Sequence, residues 1–350
     1  MTRIVTTMTV ALVLLASWMQ PRADGQALAP LRSLPPYMRL LVDWGVRPEW
    51  SLDGRSLLFM ERGLGDAYRL DVETGRLTPL TAHFYNQGFD RVLPLANGDY
   101  LLTGPRAVDP KDPWSQRHTG FEMFVLDGSL TRPPVPLGER LDEGPAVSRT
   151  RMHVAWTTPG QREMFEADIV YADGVPALAN KRLVLSYESR PATERLETQD
   201  FRPPDEKELL FTCYSGTVEE PFYFADLCGI DLARGKVANY TNTPEQYDEA
   251  EGVFPDGRYA MVESDRHGAN RQWKIDVYRL ALDGSNRADR ITFFQSGDTP
   301  YHGSNPVVSP DGRHAAVQLG IHGMGAGQGR GIVLIDLAAW ERTLSAPDRR

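Results

Sequence analysis

The chain has little cysteine: two residues in 350, Cys213 and Cys228, with no C-x-x-C pair. That excludes a zinc ribbon and a thioredoxin-type redox motif. Long apolar runs are lacking too. Met8 to Met19 (MTVALVLLASWM) is a short one, and a dozen or so residues fall below the ~20 that span a bilayer. Positive charge is in deficit, with 38 Lys and Arg against 47 Asp and Glu and a net charge of −9. Such a balance disfavours a general binder of nucleic acid or of anionic membranes. No G-x-S-x-G elbow occurs, which disfavours a serine peptidase of the α/β-hydrolase type. Nor does any segment carry the 3.6-residue period of a long amphipathic helix. Turn formers, by contrast, are plentiful: 31 Gly and 26 Pro. With 24% charged and 9% aromatic residues, the chain can fill a core and is not disordered.

The N-terminus reads as a targeting segment. Arg3 supplies the positive start, Met8 to Met19 the apolar region, and ADGQALA the small residues of a cleavage site. Residues 1–26 are therefore expected to be a signal peptide, leaving no membrane span after cleavage. No cysteine follows the apolar run, which disfavours a lipoprotein. A periplasmic or secreted location follows. In such an oxidising compartment an even pair of cysteines is a disulfide candidate. Cys213 and Cys228 flank YSGTVEEPFYFADL, which reads as a strand, a loop and the returning strand.

One phrase recurs along the rest of the chain. An apolar stretch, a tight turn and an alternating stretch make up RPEWSLDGRSLLFMER, EGVFPDGRYAMVES and NPVVSPDGRHAAVQLG. Looser copies are DRVLPLANGDYLLTGP, GPAVSRTRMHVAWTTP and TQDFRPPDEKELLFTCY. Their turns align at Gly54, Gly98, Thr150, Glu206, Gly257 and Gly312, a period of ~50 residues. Asp-Gly and Asn-Gly supply the left-handed backbone that a tight hairpin needs. Further strands follow, such as AYRLDVETG with RLTPLTAH, giving four antiparallel strands per unit. The expected fold is all-β: a six-bladed β-propeller over residues 38–342, with 343–350 as a tail. Since AAWERTLSAPDRR makes a poor last strand, MRLLVD (Met38 to Asp43) is expected to complete the sixth blade.

SPDGRHAAVQ, FPDGRYAMVES and ESDRHGANRQWKIDVYRLALDGSNRADRIT resemble the WD-like repeats of TolB-type propellers. The resemblance implies that Pro-Asp-Gly-Arg joins the two inner strands of a blade and Asp283 to Asn286 the two outer ones. It is weak where SRTR and PDEK stand in for the turn. More distantly, the chain is similar to oligogalacturonate lyases, whose His-rich mouth holds a divalent metal. Asp53, Asp256 and Asp311 are turn formers on this reading, not catalysts.

Function is expected in the loops around one mouth of the channel. Five of the seven histidines fall there: His83, His118, His267, His302 and His322. Arg47, Arg62, Arg106, Arg117, Arg162, Arg266 and Arg330 accompany them, as do Asp142, Glu143, Asp200, Asp248, Glu249, Glu251 and Asp265. Trp44, Tyr85, Trp114, Tyr214 and Tyr301 offer stacking surfaces. Arginine binds carboxylates in bidentate fashion, and neutral imidazole ligates metal or moves protons. The named candidates for ligand binding are Arg266, His267, His302, His322 and Glu251, with His267, His302 and His322 as the set for a divalent metal. The ligand expected is a polar small molecule, glycan or peptide, bound without catalysis. A metal-assisted uronate lyase or hydrolase and a scaffold for envelope proteins are the alternatives. The Gly-rich GMGAGQGRG (Gly323 to Gly331) precedes a strand, so it reads as a loop over the mouth and not as a phosphate cradle.

Overall fold

In the computed structural model the described residues are 34–344, apart from 110, 113–116, 190–194, 216–223, 269–273, 295–299 and 322–327. The expected signal peptide and the 345–350 part of the tail lie outside them. After β1 (Met38–Val42), the first blade comprises β2 (Val46–Trp50), β3 (Ser56–Met60), β4 (Ala67–Asp71) and β5 (Leu77–Pro79). Next come β6 (Arg91–Pro94), β7 (Tyr100–Pro105), β8 (Phe121–Leu126), β9 (Val135–Val147), β10 (His153–Thr157), β11 (Glu163–Ala172) and β12 (Val175–Ser186), all in one seven-stranded sheet. The second blade is β13 (Arg195–Phe201), β14 (Glu208–Ser215), β15 (Phe224–Asp231) and β16 (Val237–Asn239). The third is β17 (Asp248–Val253), β18 (Tyr259–Ser264), β19 (Asp276–Ala281) and β20 (Ala288–Arg290). In the fourth, β21 (Tyr301–Val308), β22 (His314–Ile321) and β23 (Gly329–Asp336) are joined by β1, before a short helix α1 (Leu337–Leu344).

The all-β propeller arrangement is as expected, but the count of six four-stranded blades is corrected. Four such blades form, and residues 91–186 make a single sheet. The reason lies in β9. Its first part pairs with β8 (Leu141 opposite Phe121, Val135 opposite Val125) and its last part with β10 (Val147 opposite Val154). Elsewhere a loop separates an outer strand from the next inner one; here VPLGERLDEGPAV runs straight through.

The innermost strands β2, β6, β9, β13, β17 and β21 contact one another in that order, and β21 returns to β2. Closure is completed by β1 on β23, with Met38 opposite Ile335 and Leu40 opposite Val333. The segment expected to close the ring does so. In place of a last strand, α1 packs Leu337 and Trp340 inward, and the Trp340 indole N–H donates to the Arg290 carbonyl at 3.2 Å.

Apolar side chains meet between neighbouring sheets. Trp50, Leu57 and Phe59 pack on Val307, Ala316 and Ile332, while Leu58 and Met60 pack on Val92 and Leu102. Gly54, Gly257 and Gly312 hold φ of +67°, +67° and +69°, the left-handed turn position the repeat requires. Asp53 and Asp311 accept from the backbone N–H two residues on, at 3.0 Å each. Where the turn sequence is SRTR, the carboxylate comes from elsewhere. Glu206, itself at φ +51°, accepts from Arg149 N (2.9 Å), from the Thr150 hydroxyl (3.0 Å) and from the Ser148 hydroxyl.

Three places share a device that lies outside the repeated phrase. An aspartate at the start of the third strand accepts from a threonine hydroxyl just past the fourth: Thr81 to Asp66 (2.7 Å), Thr241 to Asp226 (2.7 Å), Thr292 to Asp276 (2.6 Å). Each threonine oxygen accepts in turn from the backbone N–H next to that aspartate, at Ala67, Leu227 and Val277. The blade is thereby clamped shut. Cys213 and Cys228 form a disulfide across β14 and β15, with Cα atoms 6.1 Å apart.

Candidate functional site

The inner strands present polar side chains to the channel. At the mouth Glu249, Glu251 and Glu263 converge, with one carboxylate oxygen from each within 4.8 Å of the others. Glu249 and Glu251 lie on β17, and Glu263 is opposite Glu249 on β18. Tyr214 donates to Glu197 at 2.7 Å and also contacts Glu249, as does Tyr247. Gln161 extends this belt: its amide donates to Glu197 at 3.3 Å and its carbonyl accepts from Arg195 at 3.0 Å. Asn305 of β21 donates from its backbone to Glu263 at 2.6 Å and from its side chain to Glu251 at 3.1 Å.

Deeper in the channel lie Glu49, Arg91, Arg149 and Asp200. Burial pushes Asp200 up to about 7; Arg149 opposes the shift, and Glu49 and Glu206 add to it. Glu251 is likewise pushed up to about 7, by burial first, with Arg91 opposing and Glu197 reinforcing. Glu263 is raised well above the carboxylate range, by burial and then by Glu251 and Glu249. Exclusion of water and crowding of like charges both raise these carboxyls.

The named candidates separate in this setting. Glu251 belongs to both, joining Glu249 and Glu263 at the mouth and lining the deeper cavity. Arg266 and His267 stand between β18 and β19, beside the same end of the third blade. The Arg266 guanidinium is bidentate on the buried Asp248, at 2.7 and 2.9 Å. His267 stacks on Tyr278, its Nδ1 3.2 Å from the phenol oxygen. Burial holds its pKa below the usual value, Arg290 adding and Asp276 opposing. His302 lies on β21 with its imidazole over Gly320, where a Cβ would come within 2.1 Å of Nε2. His322 is outside the described residues. Among those residues, Glu249, Glu251 and Glu263 are the one group of three gathered closely enough to hold a metal, and it contains no histidine. An all-oxygen trio suits a hard divalent cation, not the nitrogen set expected.

The other loop histidines have local partners. His83 Nε2 is 3.0 Å from the Leu130 carbonyl, and His118 Nδ1 is 2.6 Å from the buried Asp142. Glu49, Glu197, Glu263 and Arg91 lie on strands, Arg149 at a turn and Tyr247 just before β17, and the sequence pattern marks none of them as a mouth residue. The signal was a charged residue on a strand whose partners are apolar, as in VRPEW and YAMVES.

No family model matches the chain, and no curated protein matches it. Solved structures do. TolB from Acinetobacter baumannii is 17% identical with a TM-score of 0.45, covering 82% of this chain and 67% of that one. The likeness is one of fold. An oligogalacturonate lyase in complex with manganese is 15% identical at TM-score 0.48, covering 83% and 76%. Regucalcin from Agrobacterium tumefaciens, a calcium-binding protein, is 12% identical at TM-score 0.47, covering 85% and 92%. The TolB-type and lyase propellers that the sequence resembles are thus among the solved structures that match it.

Proposed function

We propose that the protein is an exported propeller that binds a polar ligand, a glycan or a peptide, at its channel mouth without breaking it down. The observation that carries this reading is the belt of Gln161, Glu197, Tyr214, Glu249, Glu251, Glu263 and Asn305, drawn from separate sheets onto one opening. Such a surface offers many acceptors and a phenol to a ligand rich in donors. A non-catalytic role fits the engagement of Arg266 with Asp248, which occupies the guanidinium that a lyase mechanism would need for a substrate carboxylate. Export is supported by the Cys213–Cys228 disulfide and by the signal-like residues 1–26. No helix among the described residues is long and apolar enough to cross a membrane.

Calorimetric screening of the purified chain against glycan and peptide sets tests the reading. A ligand should bind, and Tyr214→Phe with Glu249→Gln should weaken it about tenfold, ~1.4 kcal/mol. Binding that ignores both substitutions, or turnover of the bound ligand, would overturn it. Fractionation and the mass of the mature N-terminus check export.

A further inference from the structure

The deeper cavity has a charge pattern of its own. Followed around the axis, the inner strands contribute Glu49 from β2, Arg91 from β6, Arg149 just past β9, Asp200 from β13, Glu251 from β17 and Asn305 from β21. The two cations are neighbours, and so are the two carboxyls that follow. The basic pair therefore has acid on both sides, Glu49 on one and Asp200 with Glu251 on the other. Arg149 reaches Asp200 only at 3.4 Å, long for a charge-assisted hydrogen bond, although its side chain is just 22% exposed. Val147 and Val307 line the same space and give it an apolar wall.

The geometry points to a free α-amino acid, bound as its zwitterion. Its ammonium would face Asp200 and Glu251, its carboxylate Arg91 and Arg149, and its side chain the apolar wall. Opposite charges that stand this close in the protein suit a ligand whose own opposite charges are equally close. An α-amino acid meets that condition; an ω-amino acid or a long peptide with distant termini does not. The lone charge of a uronate would leave the carboxyls of the far side unmatched, and a neutral sugar would match neither side. A buried charge left without its partner costs several kcal/mol, so the pattern selects strongly. One fact agrees with a missing cation. Asp200 and Glu251 are both pushed up to about 7, chiefly by burial. The groups that act on them are Arg149, Glu49 and Glu206 for Asp200, and Arg91, Glu197 and Glu263 for Glu251. An ammonium would supply what the arginines do not.

This inference rests on the reading that the channel takes polar ligands, and it assigns the deeper cavity an amino acid beside the glycan or peptide of the mouth. The test is calorimetry of the full mature chain with the twenty common α-amino acids at pH 7.5. For the tightest, its amide and its N-acetyl derivative are measured as well. The amino acid should bind, and either derivative should bind at least about tenfold more weakly, ~1.4 kcal/mol. Arg149→Gln and Glu251→Gln should each weaken the parent amino acid by a similar factor. Should a variant fail to fold, the derivative series on the wild-type protein still decides. An amide or N-acetyl form that binds as tightly as its parent overturns the proposal, as does the absence of binding by any amino acid. If glycans or peptides bind while amino acids do not, this inference alone falls. If nothing of either kind binds, the broader reading falls with it.

Discussion

The clamped blades and the seven-stranded sheet arise from the same repeat, and one hydrogen-bonded pair of side chains separates them. In β2–β5, β13–β16 and β17–β20, a threonine just beyond the outer strand is tied to an aspartate that opens the third strand. The tie pins the chain where the outer strand must stop, and that strand is three residues long each time: Leu77–Pro79, Val237–Asn239 and Ala288–Arg290. Strand β8 is preceded by Gly120, which has no carboxylate to offer. Its outer partner β9 runs on for 13 residues and reaches the axis as an inner strand. Between β8 and β9, where this clamp is lacking, the blade boundary gives way to a continuous sheet. The sheet compensates at its inner turn, where Glu206 reaches over from the neighbouring blade.

The largest effect should come from that borrowed carboxylate. Glu206 is 5% exposed, and its removal leaves two hydroxyls and a backbone N–H without their acceptor. Glu206→Ala should cost about 3 kcal/mol. Asp53→Ala, in a turn that caps itself near solvent, should cost about 1 kcal/mol or less. Urea midpoints of the two variants measure the contrast. Equal losses would mean that the cap from the neighbouring blade is no more than another turn.

Next is the clamp. Thr241→Val keeps the shape but removes the hydroxyl that donates to Asp226 and accepts from Leu227 N. A loss of about 2 kcal/mol is expected. Amide exchange should quicken in β16 first, since its pairing with β15 spans only Val237 to Asn239. Unchanged exchange there would show that the outer strand ends for another reason.

Much of this fold was legible because a left-handed turn residue has a strong signature. The alignment placed Glu206 at the position of Gly54 and Gly257, and it adopts φ +51° where they adopt +67°. Ring closure by Met38–Val42 and the pairing of Cys213 with Cys228 were readable for similar local reasons. The run through β9 was not, because its two halves look like separate short strands and the clue is an absent aspartate. The site was half legible. Glu249, Glu251, Asp200 and Tyr214 stood among the loop candidates. Glu49, Glu197 and Glu263 alternate with apolar residues as any strand residue does, and only the closed ring reveals that their faces meet.

The smallest prediction probes how the outer sheet is held where no clamp exists. His153 on β10 is buried, with Nδ1 2.7 Å from Asp168 and Nε2 3.2 Å from Glu166, both on β11. Arg182 of β12 also pairs with Glu166. Burial alone would lower the imidazole pKa, but the hydrogen bonds to Glu166 and Asp168 outweigh it, and the net shift is upward. Both carboxyls are held below their usual values: Glu166 by His153 and Arg182 against the pull of burial, Asp168 by Asn180 and then His153. A raised histidine pKa stabilises the fold fully below the unfolded value of ~6.5 and loses that effect as pH climbs through the folded value. The carboxylates act in the opposite sense, stabilising above ~4 and failing as pH falls below it. His153→Gln should therefore cost about 2 kcal/mol at pH 6 and roughly 1 kcal/mol less at pH 8.5. His83→Gln, an exposed histidine bonded to a backbone carbonyl, should stay within about 0.5 kcal/mol at both. Paired urea titrations at the two pH values measure the difference. A His153→Gln penalty that does not change with pH would show that the imidazole holds β10 and β11 by packing on Phe201, at 5.5 Å between rings, and not by its charge.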